Sequence, residues 1–132
     1  MIAFLLAQIG KIKKAISAQN DQMGNFGKVL WTNPSPSSDF VDGGLSIPNI
    51  TNYRIVLIQF LPNKSVNESY SLTFTALVGQ KGELIYADTG GAYFRLFTTY
   101  KNDNKINFQQ GGKSGVGFDN QYAIPFKVIG IL

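Results

Sequence analysis

The chain reads as mainly β: an N-terminal α-helix, then an antiparallel β-sandwich of jelly-roll-like type. Three observations predict this. Ten Phe, six Tyr and one Trp stand against two Met, which suits a core of aromatic and β-branched side chains. From Lys28 onward, short apolar or alternating runs are separated by Gly, Asn, Asp and Pro turns, the spacing of a sandwich or barrel. Ahead of them, the first two dozen residues carry a helical period rather than a period of two. At 132 residues, 44% hydrophobic and 15% charged, the chain has room for one packed domain and a short appendage. The expected division is a coiled-coil or attachment helix over 1–23 and a β head over 24–132.

In "MIAFLLAQIGKIKKAISAQN", Ile2, Leu5, Ile9, Ile12 and Ile16 follow the alternating three-and-four spacing of a heptad seam. The seam fades at Gln19 and Met23, and "NDQMGNFG" supplies the breakers that end a helix. Isoleucine at both core positions of a parallel coiled coil favours trimers or tetramers over dimers. The competing reading is an amphipathic helix lying on its own domain. Ordering a helix of this length costs more than five apolar side chains return, so a coiled coil here needs further association from the head. Phe4 and Leu6 fall outside the seam and make the first turns apolar all round, which suits a tip inserted into a larger assembly.

The head follows in order. "KVLWT" (28–32) is a strand, and "NPSPSSDF" (33–40) is a proline-bearing extended loop. "LSIP" (45–48) is a short strand. "YRIVLIQFL" (53–61) is apolar on both faces, with Ile55 and Leu57 on one and Val56, Ile58 and Phe60 on the other. It is either a strand covered on both sides or one whose second face meets another subunit. "YSLTFTALV" (70–78) alternates, with Tyr70, Leu72, Phe74, Ala76 and Val78 on its buried face. Strands at 83–87, 92–100 and 105–110 continue the meander. "GGKSGVGFDN" (111–120) is a mobile or tightly turned loop. "YAIPFKVIGIL" (122–132) closes the chain, with Pro125 marking an edge or a bulge.

Chemistry is sparse. Histidine and cysteine are both absent, which excludes Ser-His-Asp and Cys-His catalysis, thiolate metal sites and disulfides. The eight acids are Asp21, Asp39, Asp42, Glu68, Glu83, Asp88, Asp103 and Asp119, all in linkers, turns or strand edges, where backbone geometry alone explains them. A carboxylate pair for glycoside cleavage is the enzymatic alternative that survives. No calcium loop and no phosphate-cradling glycine motif occurs, and no cofactor or metal is expected. The net charge of +4 is not gathered into a Lys/Arg block, so no nucleic-acid partner is expected. The apolar run precedes its lysines, the reverse of a secretory signal, and is too short to span a bilayer, so no membrane insertion is expected. Three Asn-X-Ser/Thr triplets, at Asn49, Asn63 and Asn67, carry meaning only in a glycosylating secretory route. Binding is left. The aromatics near loops, Trp31, Phe40, Tyr100, Phe118 and Tyr122, are candidates to stack on sugar rings.

"GKVLWTNPSPSSDF" (27–40), followed by "YRIVLIQFL" and closed by "IPFKVIGIL" (124–132), resembles the small β domains of phage and prophage fibre proteins from Gram-positive hosts. Those domains often have Tyr where Phe126 stands. The resemblance spans nearly all of the β portion in order and is sharp at its two ends. It implies a homotrimer with an N-terminal helical stalk and a β head, assembled in the host cytoplasm and carried on the virion as a tail or capsid appendage. Its expected partners are other copies of the chain, other virion proteins through the helix, and host surface polysaccharide. With nothing ahead of the stalk, a short appendage or a capsid-bound fibre is expected. No residue-level binding motif transfers. The alternatives are a structural capsid decoration, a glycan depolymerase and a membrane-active protein with an amphipathic anchor.

Overall fold

A computed structural model of the chain describes residues 2–24 and 27–131, with side-chain surroundings for 2–15 and 27–131. Helix α1 spans Ile2–Gly24 and stops at a glycine, the residue that most readily leaves a helix. Its described seam side chains do not lie on the head: Ile2, Leu5, Ile9 and Ile12 are 76%, 56%, 48% and 58% exposed. The reading of a helix folded onto its own domain is therefore set aside for these turns. Ile16 and the fading seam positions lie outside the residues whose side chains are described.

The head is mainly β and antiparallel throughout. Strands β1 (Gly27–Thr32), β3 (Ile55–Asn63), β4 (Leu72–Leu77) and β10 (Tyr122–Ile131) form one sheet in the order β1-β10-β3-β4. Strands β2 (Gly43–Ser46), β6 (Gly91–Tyr100), β7 (Asp103–Phe108), β8 (Gly112–Lys113) and β9 (Gly117–Phe118) form the other, in the order β2-β7-β6-β8-β9, with β5 (Lys81–Asp88) paired to β6. Val56, Ile58, Phe60 and Val128 from the first sheet pack with Leu84, Phe97, Ile106 and Phe108 from the second in one core. The β3–β4, β5–β6 and β6–β7 steps pair neighbours in sequence within a sheet.

Four sequence expectations are refined. The strand expected over 70–78 is shorter: Asn67 Oδ1 accepts the Ser69 amide at 3.0 Å, capping a 3-10 turn at Glu68–Tyr70 that leaves Tyr70 71% exposed. The glycine-rich loop is a miniature hairpin, β8–β9, since Gly112 lets the Phe94 ring lie on the backbone where a Cβ would sit 2.5 Å from it. Of the two settings expected for Pro125, an edge or a bulge, the bulge is present: the register with β3 shifts between Pro125 and Lys127, and pairing with β1 reaches only to Lys127, so a residue lacking N–H is accommodated. The turn between the strands expected at 83–87 and 92–100 is tighter than those bounds: Asp88 pairs with Gly91, leaving only Thr89 and Gly90 between the strands.

Candidate assembly surface and ligand-binding aromatics

The register sets two ends of the head. Gly27, Ile131, Ile55 and Leu77 lie side by side across the first sheet, at the end where β1 starts after the helix. Thr32, Tyr122, Asn63 and Leu72 belong to the far end. The strand β3 expected to be apolar on both faces is so: Val56, Ile58 and Phe60 fill the core, while Ile55 and Leu57 face outward and half-buried. Directly opposite residues on antiparallel strands share a face. Val29, Ile129 and Leu57 thus form one outer row, and Gly27, Ile131, Ile55 and Leu77 the next. Val29 is 52% and Leu77 47% exposed. This apolar outer face adjoins the start of β1, so it sits beside the root of the helix. It can bury area against another copy at the place where the exposed helix seam would need it.

The second sheet has its own outward apolar group. Ile85 pairs with Phe94, and Phe118 sits edge-on to Phe94 at 5.9 Å between centroids.

The aromatics singled out as sugar platforms do not come together. Trp31 packs edge-on against Phe40 at 6.1 Å and Phe40 against Phe108 at 5.4 Å, a chain of rings that leans on the core. Tyr100 lies at the near end, half-buried, under the Lys105 ammonium at 5.2 Å. Phe118 is 70% exposed beside a shallow pocket of about 390 Å³ that Asp42, Asn107 and Gln110 also line. Tyr122 packs against Tyr93 at 5.6 Å, and Tyr93 stacks on Tyr86 at 6.1 Å and 21°.

That last contact leads to a set the sequence reading missed. Tyr70, Tyr86 and Tyr93 line a groove of about 350 Å³ with Asn63 and Asp88. The signal was present: a two-residue turn at Thr89-Gly90 aligns Tyr86 with Tyr93 across the hairpin. Both share the inward parity of Leu84 and Phe97, and Tyr86 packs against the margin of the core at the far, open end of the two sheets.

Arg95 has the same inward parity and is fully buried. Among the described residues no carboxylate forms an ion pair with it. Its Nε donates to the Ala123 carbonyl at 2.8 Å, Nη1 to the Gln109 carbonyl at 2.8 Å and Nη2 to the Tyr122 carbonyl at 2.9 Å, with longer bonds to Asn120. The Phe40 ring lies 5.2 Å from its Cζ. Burial pulls its pKa down to about 10, against the pull of Asp42 and Asp39, so it stays charged at neutral pH. A planar cation with five donors on β6 thus ties together the residue after β7, Asn120 and the first two residues of β10. Gly111 allows the approach: a Cβ there would collide with the Tyr122 carbonyl and stand 2.7 Å from Nη2.

Five of the acids have local partners. Asp39 pairs with Lys64 at 2.8 Å and Asp103 with Lys105 at 3.3 Å. Asp42 accepts from Asn120 at 3.3 Å, and Asp88 from the Gly90 amide at 2.7 Å. Asp119 accepts from the backbone and side chain of Gln121, which holds its carboxyl below the ordinary carboxylate value. Among the described residues no three acidic, His or Cys side chains are gathered as a metal site, and no helix is long and apolar enough to cross a membrane. No family model, curated protein or solved structure matches the chain.

Proposed function

We propose that the chain is a homotrimeric appendage of a bacteriophage virion. Its helix joins three copies and fastens them to the particle through the Phe4 and Leu6 tip, and its head, a β-sandwich of the jelly-roll kind, adheres to host surface saccharide without catalysis. One observation carries this reading: the seam residues Ile2, Leu5, Ile9 and Ile12 are exposed within a single chain although their spacing is that of a buried seam. Such a stripe is covered by other copies or by a larger assembly. The outer face of the first sheet supports the same conclusion, because it adds apolar area beside the helix root.

The test is native mass by light scattering. The full chain is expected at three times its 14.5 kDa, and Ile9→Asp with Ile12→Asp should shift it to monomer with the head still folded. A monomeric full chain removes the proposal.

A purely structural capsid decoration is the second reading. It is favoured by the outward group on the second sheet, where Ile85 is 52%, Leu96 44% and Phe118 70% exposed, since coat proteins would cover such side chains. Fluorescently labelled chain that binds no bacterial cells, yet binds the fibreless particle, selects this reading over adhesion. A depolymerase would instead release sugar from glycan, and would lose that release on changing one acid to its amide.

A further inference from the structure

We infer that the open mouth between the two sheets, at the end of the head away from the start of β1, is a saccharide-binding site that takes uncharged hexose units. It rests on the reading of the head as the adhesive part, and names where adhesion occurs. The argument begins with Tyr70. Its ring is 71% exposed, yet its backbone is held by the Asn67 cap: the Ser69 amide donates to Asn67 Oδ1 at 3.0 Å, and the Tyr70 amide to the Asn67 carbonyl at 2.9 Å. An exposed aromatic on a fixed backbone has only two side-chain torsions left to order when something stacks on it. The flat, C–H-rich face of a hexose is the surface such a ring accepts.

Opposite Tyr70 stand Tyr86 and Tyr93, locked in their own stack. The Lys113 ammonium lies 5.1 Å from the centroid of Tyr93. The Tyr93 ring is thus covered by Tyr86 and by the Lys113 ammonium, which leaves Tyr70 as the exposed ring of the groove. Two rim groups complete it. Asn63 spends Oδ1 on the Ser65 amide and Asp88 spends Oδ1 on the Gly90 amide. Each is thereby fixed in orientation, and their other head-group atoms, an amide donor and a carboxylate acceptor, are of opposite kind. A vicinal pair of sugar hydroxyls, each both donor and acceptor, matches that combination. Asp88 disfavours an anionic sugar.

Size argues in the same direction. About 350 Å³ is at the small end of ligand pockets, enough for a short stretch of saccharide. A proline-rich peptide, the other usual guest of tyrosine-lined grooves, advances about 3.1 Å per residue and needs a longer track. The pocket beside Phe118 offers one exposed ring, since Phe108, which also lines it, is buried, so it is the weaker platform.

The experiment uses the intact chain in two assays. Amide spectra of isotope-labelled chain are recorded with tetramers of N-acetylglucosamine and of glucose and with lactose, and pull-down is measured on purified wall glycan of a Gram-positive bacterium. The expected result is that at least one sugar shifts the amides of Asn63, Tyr70 and Asp88. Tyr70→Ala and Asp88→Asn should each weaken that binding at least tenfold, and Tyr70→Trp should restore it. Tyr70 is exposed and Asn at 88 keeps the turn acceptor, so both variants retain the folded spectrum. Pull-down that survives Tyr70→Ala unchanged overturns the site but leaves adhesion standing. Shifts at these amides without pull-down support the site and remove adhesion to wall glycan. No shift with any sugar, or shifts with a proline-rich peptide alone, overturns the site.

Discussion

Helix α1 and strand β3 are built from similar apolar residues, yet they end in opposite environments. Val56, Ile58 and Phe60 on β3 are 0%, 0% and 2% exposed, whereas Ile9 and Ile12 on the helix are 48% and 58% exposed. The strand finds partners within its own chain because pairing with β10 and β4 aligns its inner face over the second sheet. The helix has no such sheet to bind it. Each Ile or Leu that leaves water contributes roughly 1.5–3 kcal/mol, so a seam left open is a sizeable unused driving force. The difference teaches that the head buries its apolar residues within one chain, while the described turns of the helix find no such burial there.

This contrast can be broken or sharpened by measurement. The largest effect is expected inside the head. Arg95→Ala should destabilise it by about 3–5 kcal/mol in urea unfolding, because a fully buried side chain and its three short donated bonds are lost at once. Arg95→Lys should recover only part of this, since an ammonium cannot span the same acceptors. A head that tolerated Arg95→Ala would show that its far end is held by packing instead. Gly111→Ala comes next, at about 1–3 kcal/mol from overpacking against the guanidinium and the Tyr122 carbonyl. Ile9→Asp with Ile12→Asp, decisive for mass, should move the head's unfolding midpoint by less than about 0.5 kcal/mol, because nothing in the head touches those side chains closely enough to bury them. A larger shift would mean that helix and head are coupled in stability.

The smallest effect is electrostatic. The Asp119 carboxyl is held below its ordinary value by the Gln121 amide and side chain, so the native state favours the ionised form. Its contribution is present above the unfolded-state value of about 4 and is lost as pH falls through the lower folded-state value. Melting temperatures followed on acidification should therefore fall more steeply for the parent chain than for Asp119→Asn. Equal slopes would mean that the turn before Tyr122 contributes nothing to acid sensitivity.

Much of the fold was legible in residue order. The seam spacing and its breakers marked the helix, and alternation with turn residues marked the strands from Lys28 on. The two-faced character of β3 was legible too, because strand side chains alternate strictly and both parities of "RIVLIQF" are mostly apolar. The candidate ligand residues were less so. Trp31, Tyr100, Phe118 and Tyr122 share an aromatic character and a place near loops, but strand pairing scatters them among the core, both ends and an outer face. Tyr70 was assigned to a buried face because its parity fits the strand that follows. Asn67 draws it into a capped turn instead, a local hydrogen bond outweighing the two-residue period.

By itself, then, the order of residues determined which stretches are helix and strand, which side chains must leave water, and that chemistry depending on His or Cys is out of reach. These follow from local sterics, side-chain alternation and composition, which need no knowledge of what lies across the chain. Only the tertiary structure decided that the helix seam stays open within one chain, that Arg95 is satisfied by carbonyls rather than by a carboxylate, and that three tyrosines from three separate segments meet at one mouth. Those outcomes depend on register and sheet order, which place residues tens of positions apart within a few ångströms of each other.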